Sequence, residues 1–201
     1  CIAYVSYNFY LQGDFTAIRY GNLVLFGLNI LLTIITYPLI YLFEKLFDLN
    51  SDFTYIELLD TNHPLLAELA VKAPGTFQHS LQVANIAEAV INKIGGNGLM
   101  IKVGAYFHDI GKMQNPQYFI ENQADGDNPH DLLDPRESAE IIIGHRAEGV
   151  KMARNYNLPT ELIDFIKPHH GTTQVSYFYN QYVKANPDEA VDPDDFSYPG
   201  P

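Results

Sequence analysis

Five histidines and one aspartate carry the chemistry open to this sequence: His79, His108 with Asp109 directly after it, His145, and the pair His169-His170. Each falls on the apolar side, or at the end, of a segment with helical periodicity, where a lone histidine is more often a hydrogen-bonded core residue than a ligand. Five of them on consecutive helices of one small domain, two adjacent, are hard to explain as packing. A zinc finger would need cysteines and closer pairs. Imidazoles sharing one carboxylate suit two octahedral ions such as Mn or Fe, with Asp109 bridging. In such sites ions about 3.5–4 Å apart act as Lewis acids, hydroxide source and clamp.

The segments that must place these side chains read as helices, so the domain is expected to be all-α. Residues 76–94 form a strong helix stopped by Gly95-Gly96, with an expected apolar face through Val83, Ile86, Ala87, Val90 and Ile94 that includes His79. Residues 99–110 form the next. Gly111 fits a left-handed cap, which leaves His108 and Asp109 in the last turn. There a carboxylate meets the negative end of the macrodipole at a cost of roughly 0.3–1 kcal/mol, a penalty that a bound cation would reverse.

Asp134-Pro135-Arg136-Glu137 opens another helix as N-cap, first and third positions, and its stripe runs through Ile141, Ile142, His145, Gly149 and Ala153. Residues 161–167 give a short helix that ends in His169-His170. The long stretch 114–133, with Asp125-Gly126-Asp127 and His130, reads as a polar loop with turn residues. Ala73-Pro74-Gly75 reads as a turn. After Tyr177-Phe178-Tyr179 the chain becomes an acidic tail (Asp188, Glu189, Asp192, Asp194, Asp195) that reads as solvated and mobile.

The N-terminal part is of another kind. Residues 20–43 contain no charge, and as a helix these 24 residues would span about 36 Å, enough for a hydrocarbon core of about 30 Å. The division expected is 1–19 as the end of a preceding membrane segment with a turn at Gly13-Asp14, 20–46 as a transmembrane helix, 47–75 as connecting helices, and 76–201 as the catalytic domain. Membrane lipid is thus one partner. The chain opens on Cys1 in place of Met, which suggests a processed chain or a fragment; as the sole cysteine it allows no internal disulfide. A net charge of −12 argues against a DNA or RNA duplex as partner, although bound metals can invert the local field for a small anionic substrate.

The pattern His79, His108-Asp109, His145, His169-His170 resembles the HD-domain metal-dependent phosphohydrolases. The segments Ala73-Pro74-Gly75-Thr76-Phe77-Gln78-His79-Ser80, Tyr106-Phe107-His108-Asp109-Ile110-Gly111-Lys112, Phe119-Ile120-Glu121-Asn122-Gln123, Asn128-Pro129-His130 and His169-His170-Gly171-Thr172 are similar to one branch, the membrane-anchored seven-transmembrane-receptor HD phosphodiesterases of cyclic di-AMP. The resemblance implies an all-α HD helical bundle preceded by a transmembrane helix, two divalent metal ions (Mn or Fe), and hydrolysis of cyclic di-AMP to pApA in bacterial second-messenger signalling. It places the protein in the bacterial cell membrane, multi-pass when whole, with the HD domain cytoplasmic.

It also implies roles. His79, His108 and Asp109 would hold one metal; Asp109, His145, His169 and His170 the second. Lys112 would contact a substrate phosphate, its plainer alternative being a surface cation at a helix C-terminus, and Gly171 and Thr172 would shape the substrate pocket. The Gly-Tyr-Pro signature of the cyclic di-GMP branch does not follow His169-His170. The family's first metal takes a further aspartate from a later helix, and the tail acids lack that context, so the chain is expected to end before that ligand, which would leave the fragment with weaker metal binding and little catalysis. Two alternatives are a membrane-attached nucleotide-sensing module without turnover and another HD nucleotide phosphohydrolase; a homo-oligomer is compatible with all three.

Overall fold

The computed structural model describes residues 2–12, 19–47, 49–123 and 128–200. Cys1, the Gly13-Asp14 turn and Asp125-Gly126-Asp127 lie outside them. Among the described residues the chain is helical, with no strand and one antiparallel bridge between Gln174 and Ser197. It divides into two units, Cys1–Ser51 and Asp52–Pro201.

In the first unit, α1 (Ile2–Gln12) meets α2 (Tyr20–Phe47) where the Tyr4 and Phe26 rings lie 5.6 Å apart and Asn22 Nδ2 donates to the Tyr4 hydroxyl at 2.8 Å. With 28 residues and a mean hydropathy of 2.2 over its most apolar stretch, α2 is long and apolar enough to cross a bilayer. Its polar side chains bond back to carbonyls one turn earlier: Asn29 to Leu25, Thr33 to Asn29 and Thr36 to Leu32. A hydrocarbon surrounding requires that self-sufficiency.

The second unit contains α3 (Asp52–Leu58), α4 (Pro64–Lys72), α5 (Pro74–Ile94), α6 (Gly98–Phe107), α7 (Pro135–Asn155), α8 (Thr160–Ile166) and α9 (Ser176–Ala185). Tyr55 and Leu58 of α3 and Leu65, Leu66 and Leu69 of α4 join Val103, Phe107, Leu162 and Ile166 in one buried cluster. The stretch before residue 76 therefore supplies core to this unit. Ala73 caps α5, and Pro74, its φ preset for a first helical position, starts the helix where a turn was expected.

Three further expectations differ from what is observed. The buried face of α5 is Thr76, Ser80 and Ala84, while Ile86 and Ile94 are 66% and 73% exposed and His79 lies on the open side. These residues are small, and their weak hydropathy hides that face from a periodicity argument. Helix α6 stops at Phe107, and a 3-10 turn, Ile110–Gln114, takes over; only Gly95 and Gly171 among the described glycines have positive φ, so Gly111 is no left-handed cap. The acidic tail is also no free end. Phe196 is fully buried beside Phe178 and Ala139, and Tyr198 is 6% exposed, two aromatic anchors that the surrounding acids obscure in composition.

The stretch 114–133 is tied down as well. Short 3-10 turns cover Pro116–Tyr118, Ile120–Asn122 and Pro129–Leu132. His130 is buried against Phe178, with ring centroids 4.8 Å apart, and its Nε2 lies 2.9 Å from the Tyr118 carbonyl oxygen. That is a structural role.

Candidate metal centre

Two close approaches bring the histidines together. A Cβ on Gly111 would lie 1.8 Å from the carbonyl oxygen of His145 and 2.5 Å from the backbone nitrogen of Gly149, so only glycine lets the turn after Asp109 rest on the α7 backbone. A Cβ on Gly104 would lie 2.6 Å from the Phe165 ring, which sets how near α8, and the His169-His170 pair beyond it, comes to α6. Asp109 itself sits between the end of α6 and the 3-10 turn at φ −108, ψ 13 and is 2% exposed.

The donors fall into two groups. Asp109, His145, His169 and His170 each present one ligand atom within 4.8 Å of the others, and His79, His108 and Asp109 do the same. Neither group takes a carboxylate from the tail. The two oxygens of Asp109 serve different neighbours: Oδ1 lies 3.3 Å from Nε2 of both His145 and His169, while Oδ2 lies 3.1 Å from His108 Nε2 and 2.9 Å from Lys112 Nζ.

Tautomers follow from the backbone. Nδ1 of His108, His145 and His169 donates to the carbonyl three residues earlier, on Ala105, Ile142 and Ile166, at 2.7, 2.5 and 2.8 Å. This commits the Nδ1 proton outward and aims each neutral ring's Nε2 lone pair at the centre. His145 and His169 then point two Nε2 atoms at each other across 3.3 Å. Asp109 Oδ1 and His170 Nε2 are buried without a hydrogen-bond partner. Orphaned polar atoms of that kind are costly unless something unites them. A cation does so, and the residues present therefore fit divalent metal.

Protonation has the same pattern. Burial alone would raise the Asp109 carboxyl, but hydrogen bonds from His108, His145 and His169, made when those rings carry an Nε2 proton and no cation is held, outweigh it and hold the group well below the usual carboxylate range. Burial would lower His108, yet Asp109 turns the balance and raises it. His170 is pushed down to about 4 by burial and by the neighbouring His169 and His145, so at neutral pH its ring is uncharged and keeps one nitrogen lone pair.

The profile of the HD domain family matches residues 76–194, the stretch that holds every donor above. The chain belongs to the HD domain family. It is 42% identical over 188 residues to the cyclic-di-AMP phosphodiesterase PgpH of Bacillus subtilis, covering 92% of this chain and 26% of that protein. To the PgpH of Listeria monocytogenes it is 46% identical over 160 residues, covering 80% and 22%. The chain thus spans about a quarter of the length of these curated relatives. A crystal structure of the L. monocytogenes PgpH HD domain in complex with cyclic-di-AMP superposes with a TM-score of 0.67 at 47% identity, covering 71% of this chain and 65% of that one.

The remaining site residues lie around this HD centre. Lys112 is almost enclosed, its ammonium between Asp109 Oδ2 and Glu121 Oε1 at 2.9 and 2.8 Å and 5.1 Å from the centre of the Phe119 ring. It is no surface cation. Gly171 closes the turn after the histidine pair through its N–H to the Pro168 carbonyl at 2.6 Å, and Thr172 next to it is exposed. Two neighbours escaped the sequence argument. Glu121 stood within a quoted segment but had no assigned partner, and Tyr198, stacked on His170 at 4.2 Å and 19°, lay in a tail read as solvated.

Proposed function

We propose that this HD domain hydrolyses cyclic di-AMP to the linear dinucleotide pApA, with two divalent cations, Mn or Fe, held by the two donor groups. The observation that carries the proposal is Asp109, whose separate oxygens face separate donor groups, as a bridging carboxylate requires. The names of the relatives and the ligand of the superposed structure supply the substrate class.

His79 and His108 would complete one cation site, and His145, His169 and His170 the other. Bound ions of this kind supply Lewis acidity at the phosphorus and an activated water. The backbone carbonyls behind His108, His145 and His169 fix each ring through Nδ1 with Nε2 facing the centre, so the rings would need no reorientation on loading. Asp109 stays ionised at working pH. Lys112 brings a fixed positive charge to where a phosphate oxygen would lie, and Gly171 and Thr172 border the substrate. In the cell, α2 would hold the domain on the cytoplasmic side of a bacterial membrane as part of a multi-pass protein that acts in second-messenger signalling.

A second reading, nucleotide sensing without turnover, draws on one feature: the group around His108 offers three donors against four, with His79 exposed. One experiment separates them. With Mn supplied, the chain should convert cyclic di-AMP to pApA by chromatography, and Asp109→Ala should lose bound metal and turnover together. Turnover by Asp109→Ala in chelated buffer would refute the metal mechanism; binding without product would favour sensing.

A further inference from the structure

A second polar circuit meets the site at Lys112. Thr76 Oγ1 donates to Glu121 Oε1 at 2.9 Å and accepts from Asn122 Nδ2 at 2.8 Å, while the Thr76 N–H donates to Asn122 Oδ1 at 3.0 Å. Thr76 is fully buried in the first turn of α5, the helix that carries His79. Glu121 Oε1, fixed by that hydroxyl, accepts from Lys112 Nζ at 2.8 Å. Lys112 in turn donates to Asp109 Oδ2. The chain of contacts from Asn122 through Thr76, Glu121 and Lys112 to Asp109 is unbroken, and it ties the 3-10 segment Ile120–Asn122 to two elements that bear metal donors.

An ammonium has three N–H groups in a fixed tetrahedral arrangement. Two of those on Lys112 are taken, by Asp109 and Glu121, and one face of the ammonium is covered by the Phe119 ring. Once two donors are fixed, the direction of the third follows. Without Glu121 the ammonium would be free to rotate about its contact with Asp109. We infer that Glu121 is a positioning residue: it aims the remaining N–H of Lys112 at a phosphate oxygen of the bound dinucleotide, and Thr76 and Asn122 hold it in place to do so. This rests on the phosphodiesterase reading above.

The test is a double-mutant cycle in the whole chain, with Glu121→Gln, Lys112→Met and both changes together. Affinity for fluorescent cyclic di-AMP and its turnover are read with Mn present, beside bound Mn and thermal midpoint. Expected is a loss in Glu121→Gln of at least about tenfold in kcat/KM and in dinucleotide affinity, with Mn content and midpoint at the wild-type level. The same change made on Lys112→Met should then cost less than twofold, because its effect passes through Lys112.

Thr76→Val, which removes the hydroxyl but keeps the shape, should show a smaller loss of the same pattern. Equal losses of Glu121→Gln in both backgrounds, or a loss matched by a fall in Mn content, would overturn the positioning role. A wild-type chain that neither binds nor cleaves cyclic di-AMP would overturn the functional reading, and the inference with it. A wild-type chain that binds, with additive mutants, overturns the inference alone.

Discussion

Gly111→Ala adds one methyl group at the point where the turn after Asp109 rests on α7. The new carbon would sit 1.8 Å from the His145 carbonyl oxygen and 2.5 Å from the Gly149 nitrogen, both backbone atoms of a helix. Neither can swing aside as a side chain would. Restoring ordinary contact at 3.4 Å or more requires the two segments to part by about 1.6 Å. That gap opens between Asp109 and His145, whose ligand atoms now lie 3.3 Å apart.

Overpacking of a fixed contact costs about 3 kcal/mol. For a unit of this size that corresponds to a midpoint lower by about 6–12 °C. Misplacing a ligand by more than 1 Å carries a further penalty of about 10²-fold in function. Scanning calorimetry and Mn titration of the chain measure both effects. Gly144→Ala, on the same helix with nothing within 4 Å of the added carbon, is the control and should be neutral or stabilising by up to about 1 kcal/mol. A Gly111→Ala chain with wild-type midpoint and Mn affinity would refute the close-approach argument.

Tyr198→Ala, which removes the ring stacked on His170, should weaken Mn binding by about 10–100-fold, while Tyr198→Phe should bind as the wild type does; equal affinity of the two in calorimetric titration would show the stack to be idle. His63 accepts from the Leu65 N–H through Nδ1, and its burial, opposed by Glu57 and Asp60, holds its pKa below the ordinary 6.5. The unfolded chain therefore binds the proton more tightly, and the penalty, absent at pH 7.5, grows as pH falls through 6.5 toward the folded value. Thermal midpoints between pH 7.5 and 5 should fall more steeply for the wild type than for His63→Asn, which keeps a capping acceptor without titrating; parallel curves, or a His63 that titrates above 6.5 by NMR, would count against this.

The gathering of five histidines around Asp109 was legible in the sequence because these residue types are rare in helical interiors and their number exceeds what packing explains. His108-Asp109 and His169-His170 announce themselves as adjacent pairs, and the long apolar run of α2 needs no tertiary context to be read. The face of α5 was not legible in the same way. Thr76, Ser80 and Ala84 form the buried face although they are small and weakly apolar, whereas hydropathy points to Ile86, Val90 and Ile94. Gly111 was given a local reason, a left-handed cap, when its reason is contact with a backbone 34 positions later. Tyr198 and Glu121 failed for the same cause: what they do depends on His170 and Lys112, and no spacing rule connects such distant positions.

The charges around Asp109 limit what the centre can bind before it is loaded. Asp109, Glu121 and Lys112 form a trio of net charge −1, the histidines whose Nδ1 protons are committed add nothing while neutral, and the whole chain carries −12. A cyclic dinucleotide brings two phosphodiester charges of the same sign. Lys112 is already shared between two carboxylates and cannot by itself reverse the local potential. Two divalent cations, if held as proposed, would change the trio from −1 to +3 and would make the same pocket attractive to the anion. Metal loading should therefore govern substrate affinity as well as chemistry. Titration of cyclic di-AMP into the chelated chain should show no saturable binding up to concentrations at which the Mn-loaded chain is full; equal affinity in the two states would mean that the dinucleotide is held by groups remote from Asp109.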